Sequence, residues 1–440
     1  MKRKMVSLLL AAAMVTGLLA GCSSSSASST SSSETSESTE ETADTTEAAE
    51  ETSDLADYSG VTLTYWSMWT STEPQAEVIQ QAADAFSEQT GATINIEWKG
   101  RDISSVILSA LESGEDIDLF EDSDSRISQN YADYCYDLTE MAEAADYASY
   151  SYACFTETIT DWAGFLACIV EQPQVGGVWY NKDIFEACGI DVPTTWEEFM
   201  DACQTMVDNG YQPLALDSAY ASFNFGYHLD RYLGEDAVSE LSLNGGWSDS
   251  AGAIQAAQDI IDFVNAGYLA DGAPDEYPSS QNKIGLTGQV AMVVCANYVT
   301  SEVDNNSGVD TNWGMFNYPS IDGGVDPSNA YAGANCIAIS SYSENAQAAF
   351  DFIMFLTTGE YDQLMADTAE QIPADPNNTA PDKLSGTVEA LLDTSDPLKW
   401  NMGLTDNSDL STGIKENVVK LFEGQYATGE EFAAAMDALY

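Results

Sequence analysis

The segment from Val61 to Phe120 alternates between strand-like and helix-like patterns, and this alternation most constrains the fold. Short stretches of alternating apolar residues are separated by stretches in which apolar residues recur at helical spacing. The predicted order is strand Val61–Ser67, helix Pro74–Gln89, strand Ala92–Trp98, helix Asp102–Ser113 and strand Asp116–Phe120. Because a helix follows each of the first two strands, this order predicts an α/β fold with a mostly parallel sheet. Ligand loops are then expected at the carboxyl ends of the strands.

The same patterns continue to the end of the chain, without a visible internal repeat. A length of 440 residues is typical of two or three domains. Helices are predicted at Thr195–Asn209, Ser250–Ala266, Glu344–Thr357, Ser411–Phe422 and Thr428–Leu439. Strands are predicted at Gln289–Ala296, Asn312–Tyr318 and Asn335–Ser340.

The first 21 residues have the features of an export signal. Three cations at positions 2–4 precede an apolar run, Leu8–Leu19, that is too short to span a bilayer comfortably. The following Leu-Ala-Gly-Cys resembles a lipobox, which implies cleavage before Cys22 and attachment of lipid to its sulfur. Ordinary secretion, with Cys22 incidental, is the alternative. Residues 22–57 are dominated by Ser, Thr, Glu, Ala and Asp, a composition that predicts a disordered tether.

The formal net charge of −59 excludes several classes of partner. Removing residues 1–21 removes three cations and no acids, so the mature chain carries −62. Nucleic acids and anionic membrane surfaces are therefore poor partners, and an anionic ligand is disfavoured by long-range repulsion. A neutral or cationic solute remains, while most of the acids are expected to form a solvated surface.

Seven cysteines remain if Cys22 carries lipid: Cys135, Cys154, Cys168, Cys188, Cys203, Cys295 and Cys336. An odd, widely spaced set without C-x-x-C pairs is neither a disulfide framework nor a zinc site. We expect mostly buried, reduced thiols, which behave as small apolar side chains. Such a set in an exported protein indicates an oxygen-poor habitat.

The stretch Val178–Phe199 carries a specific motif, V-W-Y-N-K-D-I-F-E-A-C-G-I-D-V-P-T-T-W-E-E-F. It predicts a strand end, a short helix closed by Gly189, and a second helix with a capping box of Thr195 and Glu198. The string resembles the Y-N-K-D-x-F…G…P-x-T-W-x-E-F signature of the extracellular solute-binding proteins of family 1, the sugar-capturing subunits of ABC importers. Trp179 stands where that family usually has a smaller residue or tyrosine.

Three further motifs extend this resemblance from about Val61 to the end of the chain. They are Ser113–Phe120 (S-G-E-D-I-D-L-F), Gly288–Met292 (G-Q-V-A-M), and Phe316–Pro319 with the turn at Gly323-Gly324. Two departures are visible. The family's usual proline before the third strand is absent, and Tyr298 replaces a tryptophan.

The resemblance implies a two-lobed, periplasmic-binding-protein-like (Venus flytrap) fold with mixed, mostly parallel sheets. Chain crossings near Val170, Asn335 and Ile372-Pro373 would join the lobes. Lobe one would comprise residues 58–170 and 335–371, and lobe two residues 171–334 and 372–440.

The resemblance also implies a function: the substrate-binding component of an ABC importer. Such a protein captures a solute by hinge closure and delivers it to a membrane permease pair driven by a separate ATPase. A neutral sugar, most simply an oligosaccharide, fits the charge of the chain. We expect a monomer without enzymatic activity, cofactor, metal or nucleic acid, held by lipid on Cys22 at the extracellular face of the cell membrane.

A sugar site needs aromatic rings against apolar C–H faces, and carboxylates or amides that bridge adjacent hydroxyls. Trp66 and Trp69 follow the first strand, in a loop that also contains Met68, although Trp66 equally suits a core. After the third strand, the resemblance places Asp122 and Asp124 in a loop that faces the cleft. Solvated surface acids are the alternative. A calcium loop is disfavoured because the mid-loop glycine and the closing glutamate are missing.

The resemblance places further candidates in lobe two and at a crossing: Asp217, Phe223, Asn297, Tyr298, Asn335 and Trp400. The aromatic residues around Phe223 could equally be core. Asn335, near Gly333, either contacts ligand or tolerates an unusual backbone angle.

The sequence lacks the common catalytic motifs but does not exclude every enzyme class. The single histidine, His228, excludes His-based triads and H-E-x-x-H sites, and neither G-x-S-x-G nor a P-loop occurs. Carboxylate pairs are plentiful, so an extracellular glycoside-active enzyme stays an alternative. A receptor for a cationic solute such as a polyamine and a structural adhesin are the other two.

Overall fold

The computed structural model of the chain describes residues 55–325 and 328–440. The predicted signal peptide, Cys22 and the tether up to residue 54 lie outside these residues. Within them, no helix combines the length and the apolar character needed to cross a bilayer.

Eight strands form one mixed sheet in the part of the chain that the structure describes. The strands are β1 Thr62–Ser67, β2 Thr93–Trp98, β3 Leu119–Ser123, β4 Ile169–Asn181, β5 Gln212–Ala215, β6 Val290–Ala296, β7 Trp313–Phe316 and β8 Ala332–Ile339. Their order is β2-β1-β3-β8-β4-β6-β5, with β7 also paired to β4. The α/β class and the β-α-β-α-β order of residues 61–120 are confirmed.

The sheet is less parallel than the sequence predicts. Among the described strands, the β1–β2, β1–β3 and β5–β6 pairs are parallel, whereas β3–β8, β4–β8, β4–β6 and β4–β7 are antiparallel. Each antiparallel pair involves β4 or β8. Helical crossovers favour parallel neighbours, and β4 and β8 instead lie beside strands that run in the opposite direction.

Strand β4 belongs to both halves of the sheet. Its first part pairs with β8, with Gln172 opposite Asn335, and its second part pairs with β6 and β7, starting with Gly176 opposite Ala296. Val170 and Asn335, near which two crossings are predicted, therefore lie in paired strands. The predicted lobe boundaries, including the third crossing at Ile372-Pro373, stay a prediction.

Close packing explains why the full length of β4 could not be predicted from the sequence. Pro173, Gly176 and Gly177 interrupt the strand pattern, and sequence patterns predicted only its end. A Cβ on Gly176 would lie 2.8 Å from the Phe223 ring, and one on Gly177 would lie 2.7 Å from the Phe316 carbonyl oxygen. The glycines thus permit an approach that a side chain would block.

Seventeen α-helices surround the sheet in the described residues. Their bounds are α1 Pro74–Thr90, α2 Ile103–Ser113, α3 Asp124–Asn130, α4 Thr139–Ala144, α5 Ala153–Ala163, α6 Lys182–Cys188, α7 Trp196–Asp208, α8 Ala221–Leu233, α9 Glu235–Asn244, α10 Ala251–Asn265, α11 Lys283–Thr287, α12 Tyr298–Ser307, α13 Ala346–Thr357, α14 Gly359–Ala369, α15 Thr387–Asp393, α16 Ser411–Phe422 and α17 Gly429–Asp437. All helices predicted from periodicity are present to within two residues at either end. The capping box at α7 is confirmed in both directions: Glu198 N donates to Thr195, and Thr195 N donates to the Glu198 carboxylate.

Three hydrophobic clusters stabilise this arrangement. The largest packs α1, α2 and α13 against the β1–β3 half of the sheet and continues along β4 and β6 through Trp179 and Val293. The second surrounds Phe199, and the third surrounds Trp247 between α8, α10 and α17. The sheet is therefore covered by apolar packing in both halves, which leaves the loops at the strand ends available for a site.

The seven cysteines of the described residues are unpaired, and all but Cys188 are buried. Burial raises the pKa of Cys188 and Cys203, because the thiolate is poorly solvated in apolar surroundings. In the folded protein without reductant, we expect at most one of these thiols to react rapidly with a thiol-titrating reagent. All seven should react after denaturation. Fewer than seven in the denatured sample would contradict the predicted reduced state.

Candidate functional site

A cavity of about 350 Å³ lies at the carboxyl ends of β1, β2 and β3. The loops after these strands contribute Met68, Arg101 and the Asp122–Arg126 segment, and the strands β4 and β8 with the residue before β8 contribute Gln174, Asn335 and Tyr331. This is the edge at which the sequence predicts ligand loops. The cavity brings together three of the predicted site residues, Asp122, Asp124 and Asn335.

An ion pair forms one wall of the cavity. Arg126 stands four residues after Asp122 and forms a salt bridge with its Oδ1, while Tyr131 Oη donates to Oδ2 over 3.1 Å. Asp122 is buried, but half of the Arg126 side chain is exposed. Among the described residues, the guanidinium bonds to Asp122 alone and through Nη1, so its other donors are available toward the cavity.

Asp124 is a buried carboxylate at the start of α3. Its Oδ1 accepts from Ser125 N over 2.6 Å and its Oδ2 from Ala334 N over 3.1 Å. Burial raises the pKa of Asp124 to about 7, and the two backbone bonds oppose this rise. Because Ala334 lies in β8, this side chain connects the start of α3 to β8 at the cavity.

Amide side chains on β4 and β8 continue the polar wall. Asn335 Nδ2 donates to Gln172 Oε1 over 3.3 Å, and Gln172 donates in turn to Gln371. Tyr331 Oη donates to Gln174 Oε1 over 3.3 Å. Hydroxyl and amide groups of this kind offer both donors and acceptors to a polar ligand.

Tyr331 joins this polar cavity to an aromatic cluster. Its ring lies 5.2 Å from the Trp400 ring and 5.5 Å from the Phe223 ring, both edge to face. Trp400 stacks on Phe223 at 4.3 Å, and Tyr220 meets its edge at 6.2 Å. Phe223 is fully buried and Trp400 only half-buried, so Trp400 presents surface that Phe223 supports from behind.

A close backbone contact holds Trp400 in place. The chain after Trp400 runs over α8 at Gly226, where a Cβ would lie 2.6 Å from the Asn401 carbonyl oxygen. Asn401 and Met402 both have left-handed backbone angles, with φ of 62° and 50°. This tight, strained turn fixes the position of the indole.

Replacing Gly226 by alanine should lower the free energy of unfolding by about 2–4 kcal/mol, because backbone must move to make room. Urea unfolding followed by circular dichroism would measure this. Gly189→Ala is the matched control: its Cβ meets open space, and only its left-handed φ of 66° carries a cost of about 1–2 kcal/mol. Equal losses in the two variants would contradict the proposed contact.

Two predicted tryptophans lie behind the cavity rather than on its surface. Trp66 is buried in β1 with the Lys99 Nζ 3.5 Å from its ring centroid. Trp69 is only 4% exposed, and the Arg101 guanidinium carbon lies 4.2 Å from its ring centroid. Direct contact of either ring with ligand stays a prediction.

The remaining predicted residues hold other parts of the fold. Asp217 is buried and accepts from Ser280 N over 2.7 Å and from Gln281 N over 3.2 Å. Asn297 Oδ1 accepts from Val175 N over 3.1 Å and so connects the end of β6 to β4. Tyr298, half-buried, approaches the Cys295 thiol at 3.7 Å. Their roles in binding stay predictions.

The sequence analysis did not single out Arg101, Gln174, Arg126 or Tyr331 as site residues. Arg101 follows the second strand and Arg126 stands four residues after Asp122, so the strand-end rule and helical spacing could have found both. No sequence signal marks Tyr331. Its partner Gln174 lies 157 positions away in the chain, and Trp400 is likewise distant, so only the fold brings these residues together.

Other chemistry lies away from this cavity. His228 is fully buried, with Nε2 3.2 Å from Asp259 and Nδ1 3.3 Å from Tyr318 Oη. Burial lowers the pKa of His228, since it disfavours the charged imidazolium. Among the described residues, no group of three or more His, Cys, Asp or Glu side chains is placed to hold a metal ion.

Comparison with known proteins gives one family and several similar structures. Residues 69–363 match the family described as bacterial extracellular solute-binding protein. The osmoprotective compounds-binding protein GgtB of Synechocystis sp. (strain ATCC 27184 / PCC 6803 / Kazusa) is 28% identical over 180 residues, which cover 38% of this chain and 39% of that protein. The match thus spans about two fifths of that relative's length.

Two solved structures share the fold. Apo RafE from Streptococcus pneumoniae has a TM-score of 0.70 at 18% identity, covering 86% of this chain and 97% of that one. The bacterial solute receptor AcbH, described as having an exclusive preference for β-D-galactopyranose, has a TM-score of 0.70 at 15% identity, covering 86% and 98%. At these identities the likeness establishes the two-lobed, periplasmic-binding-protein-like fold alone.

Proposed function

Since this chain belongs to the bacterial extracellular solute-binding proteins, we propose that it captures a neutral sugar, most simply an oligosaccharide, for an ABC importer. In this role it would bind the sugar by hinge closure and deliver it to a permease pair powered by a separate ATPase. It would leave the sugar chemically unchanged. RafE, one of the structures with this fold, has been solved in complex with raffinose, which supports a sugar as the first class of ligand to test.

One observation carries the proposal: Tyr331 connects a polar cavity to an aromatic cluster. The polar side offers Asp122, Asp124 and Asn335, and the aromatic side offers the half-buried ring of Trp400. Sugars combine hydroxyl edges with apolar C–H faces, so they use both kinds of surface at once. A purely apolar ligand would cover the polar lining of this cavity without making hydrogen bonds to it, which is unfavourable.

The crossing strands give a route from binding to closure. Gln174 and Asn335 line the cavity and belong to β4 and β8, the paired strands that the resemblance assigns to the hinge. A ligand that contacts groups on both sides of these strands stabilises the closed arrangement by its differential affinity. Open and closed populations would then follow sugar concentration.

A melting-temperature screen tests the function directly. Neutral mono- and oligosaccharides should include at least one that raises the melting temperature, because a ligand that binds only the folded state stabilises it. Calorimetric titration would then give its Kd, and X-ray scattering should show a smaller radius of gyration with the sugar bound.

The same screen separates the alternatives. A shift with polyamines but with none of the sugars would favour a receptor for cationic solutes. New reducing ends after incubation with an oligosaccharide would indicate a glycoside-active enzyme and contradict the proposal. No saturable binding of any small solute, with an unchanged radius of gyration, would favour an adhesin.

The proposed setting of the protein follows from the N-terminal sequence. Lipid on Cys22 would anchor the chain at the extracellular face of the cell membrane, with residues 23–57 as a spacer between the anchor and the binding lobes. A single folded chain would then meet its permease within the reach of that spacer.

A further inference from the structure

A buried carboxyl group stands at an irregularity of the crossing strand. The pairing of β4 with β8 slips between Val170 and Gln172, and Glu171 is the residue at this bulge. It is 2% exposed. Among the described residues, the only hydrogen-bonding partner of its carboxylate is Trp69, whose Nε1 lies 3.3 Å and 3.4 Å from the two carboxylate oxygens. Bulges often re-aim a side chain, and here the side chain points to an indole.

Three side chains connect this bulge to the cavity, and we call them the Glu171 stack: Glu171, Trp69 and Arg101. The Glu171 carboxylate accepts a hydrogen bond from the Trp69 indole N–H. The guanidinium of Arg101 lies over the indole ring at 4.2 Å, a cation–π contact. Arg101 is about half exposed and lines the cavity. The stack thus runs from the crossing strand to a ligand-accessible cation.

The outer end of the stack is held on two more sides. Arg101 Nη1 donates to the Met68 carbonyl oxygen over 2.5 Å, and Nη2 forms an ion pair with Glu73 at 2.8 Å. Met68 N in turn donates to Glu121 Oε2 over 2.6 Å. The loop after β1 is therefore tied to two buried carboxyl groups, one on β3 and one on β4.

We propose that Glu171 is a positioning residue for the cavity: it orients the Trp69 ring, and this ring sets where Arg101 stands toward the ligand. The assignment of Arg101 as a ligand contact rests on the proposed function, whereas the link between Glu171 and Trp69 does not. Trp69 then acts as the platform beneath Arg101, and β4 transmits its own position to the cavity.

The environment of Glu171 makes its contact with Trp69 depend on pH. The groups that face it are Tyr65 on β1, Glu121 on β3, Cys336 on β8 and Asp362 on α14, with Arg101 beyond the indole. Burial, and then the charge of Glu121, raise the pKa of Glu171 well above its ordinary value, and Trp69 and Arg101 oppose the rise. Burial likewise raises the pKa of Glu121 to about 7. Because the two carboxyl groups are neighbours, the ionisation of each depends on the charge of the other.

Tryptophan emission reads out the link without any sugar. The contribution of Trp69 is the difference between the emission of the wild-type mature protein and that of Trp69→Phe, measured from pH 5 to pH 9. Because the indole N–H binds a group that changes charge, this difference should change within this range, with a midpoint well above the ordinary pKa of a glutamate. In a Glu171→Gln background, which keeps an oxygen acceptor but removes the titration, the same difference should be flat.

Two controls make the result specific. Asp230→Asn removes a different buried carboxyl group, whose pKa burial raises to about 6, and should leave the Trp69 transition in place. Glu171→Leu removes the acceptor, and acrylamide should then quench Trp69 more strongly than in Glu171→Gln, with both folds checked by circular dichroism. A Trp69 signal that is flat in the wild type, or a transition that persists in Glu171→Gln, would overturn the proposal. Neither result depends on whether a sugar is bound, so failure here and failure of the proposed function are distinguishable.

Discussion

Replacing Trp400 by alanine is expected to weaken sugar binding about 10- to 100-fold. The ring is half-buried on Phe223 and contacts Tyr331, which lines the polar cavity. Removing an aromatic platform costs roughly 1.5–3 kcal/mol of lost apolar burial and ring contact, and each 1.4 kcal/mol is a factor of about ten in Kd. Calorimetric titration with the sugar that gives the largest melting-temperature shift measures the change.

Trp162 provides the matched control for this substitution. It is a tryptophan on α5 with 38% of its surface exposed, and it contributes nothing to the lining of the cavity. Trp162→Ala should therefore leave Kd within a factor of about two. If Trp400→Ala binds the sugar as tightly as Trp162→Ala does, the aromatic side of the site lies elsewhere.

Replacing Glu171 by glutamine is expected to stabilise the protein increasingly as the pH rises. Burial raises the folded-state pKa of Glu171 and of its neighbour Glu121, the latter to about 7, above the value of about 4.3 for an unfolded glutamate. The stability that such groups contribute is fully present below the unfolded pKa, and it is lost as the pH rises through the folded pKa. The variant has no carboxyl group at position 171 and avoids its share of this loss.

The expected effect is a difference in melting temperature that depends on pH. Near pH 5 the wild type and Glu171→Gln should melt within about 1 °C, and near pH 8 the variant should melt roughly 2–5 °C higher. Glu186→Gln changes the net charge equally at an exposed position and should show a difference that hardly varies with pH. A constant offset for Glu171→Gln across this range would mean that the carboxyl group ionises as freely as in water.

These two sites differ in how far the sequence could anticipate them. Trp400 was predicted as a ligand contact through the family resemblance, and the structure places it on Phe223, another predicted residue. Glu171 carries no motif and lies inside a strand whose length was not predicted. Its role depends on a slip in pairing between β4 and β8, which is a property of two segments that are far apart in the chain.

The predicted polar residues also differ in how far the sequence anticipated their positions. Asp122 and Asp124 were predicted at the end of a strand, and Asn335 at a crossing, and all three line one cavity. Asp217 and Asn297 had comparable sequence support, yet their oxygens accept backbone N–H bonds that hold loops and strands together. A carboxylate or amide after a strand can serve either purpose, and the local sequence does not distinguish them.

The sequence by itself determined the α/β class, the seven helices predicted from periodicity, the β-α-β-α-β order of residues 61–120 and the family. Periodicity, caps such as Thr195 with Glu198, and the motif around Val178–Phe199 depend on residues that are close in the sequence. They can therefore be recognised without knowledge of the tertiary structure. The tertiary structure alone decided that Tyr331 joins a polar cavity to Trp400, and that Glu171 meets Trp69 across 102 positions. Such contacts depend on which distant strands pair and in what register, and that choice is made by packing of the whole core.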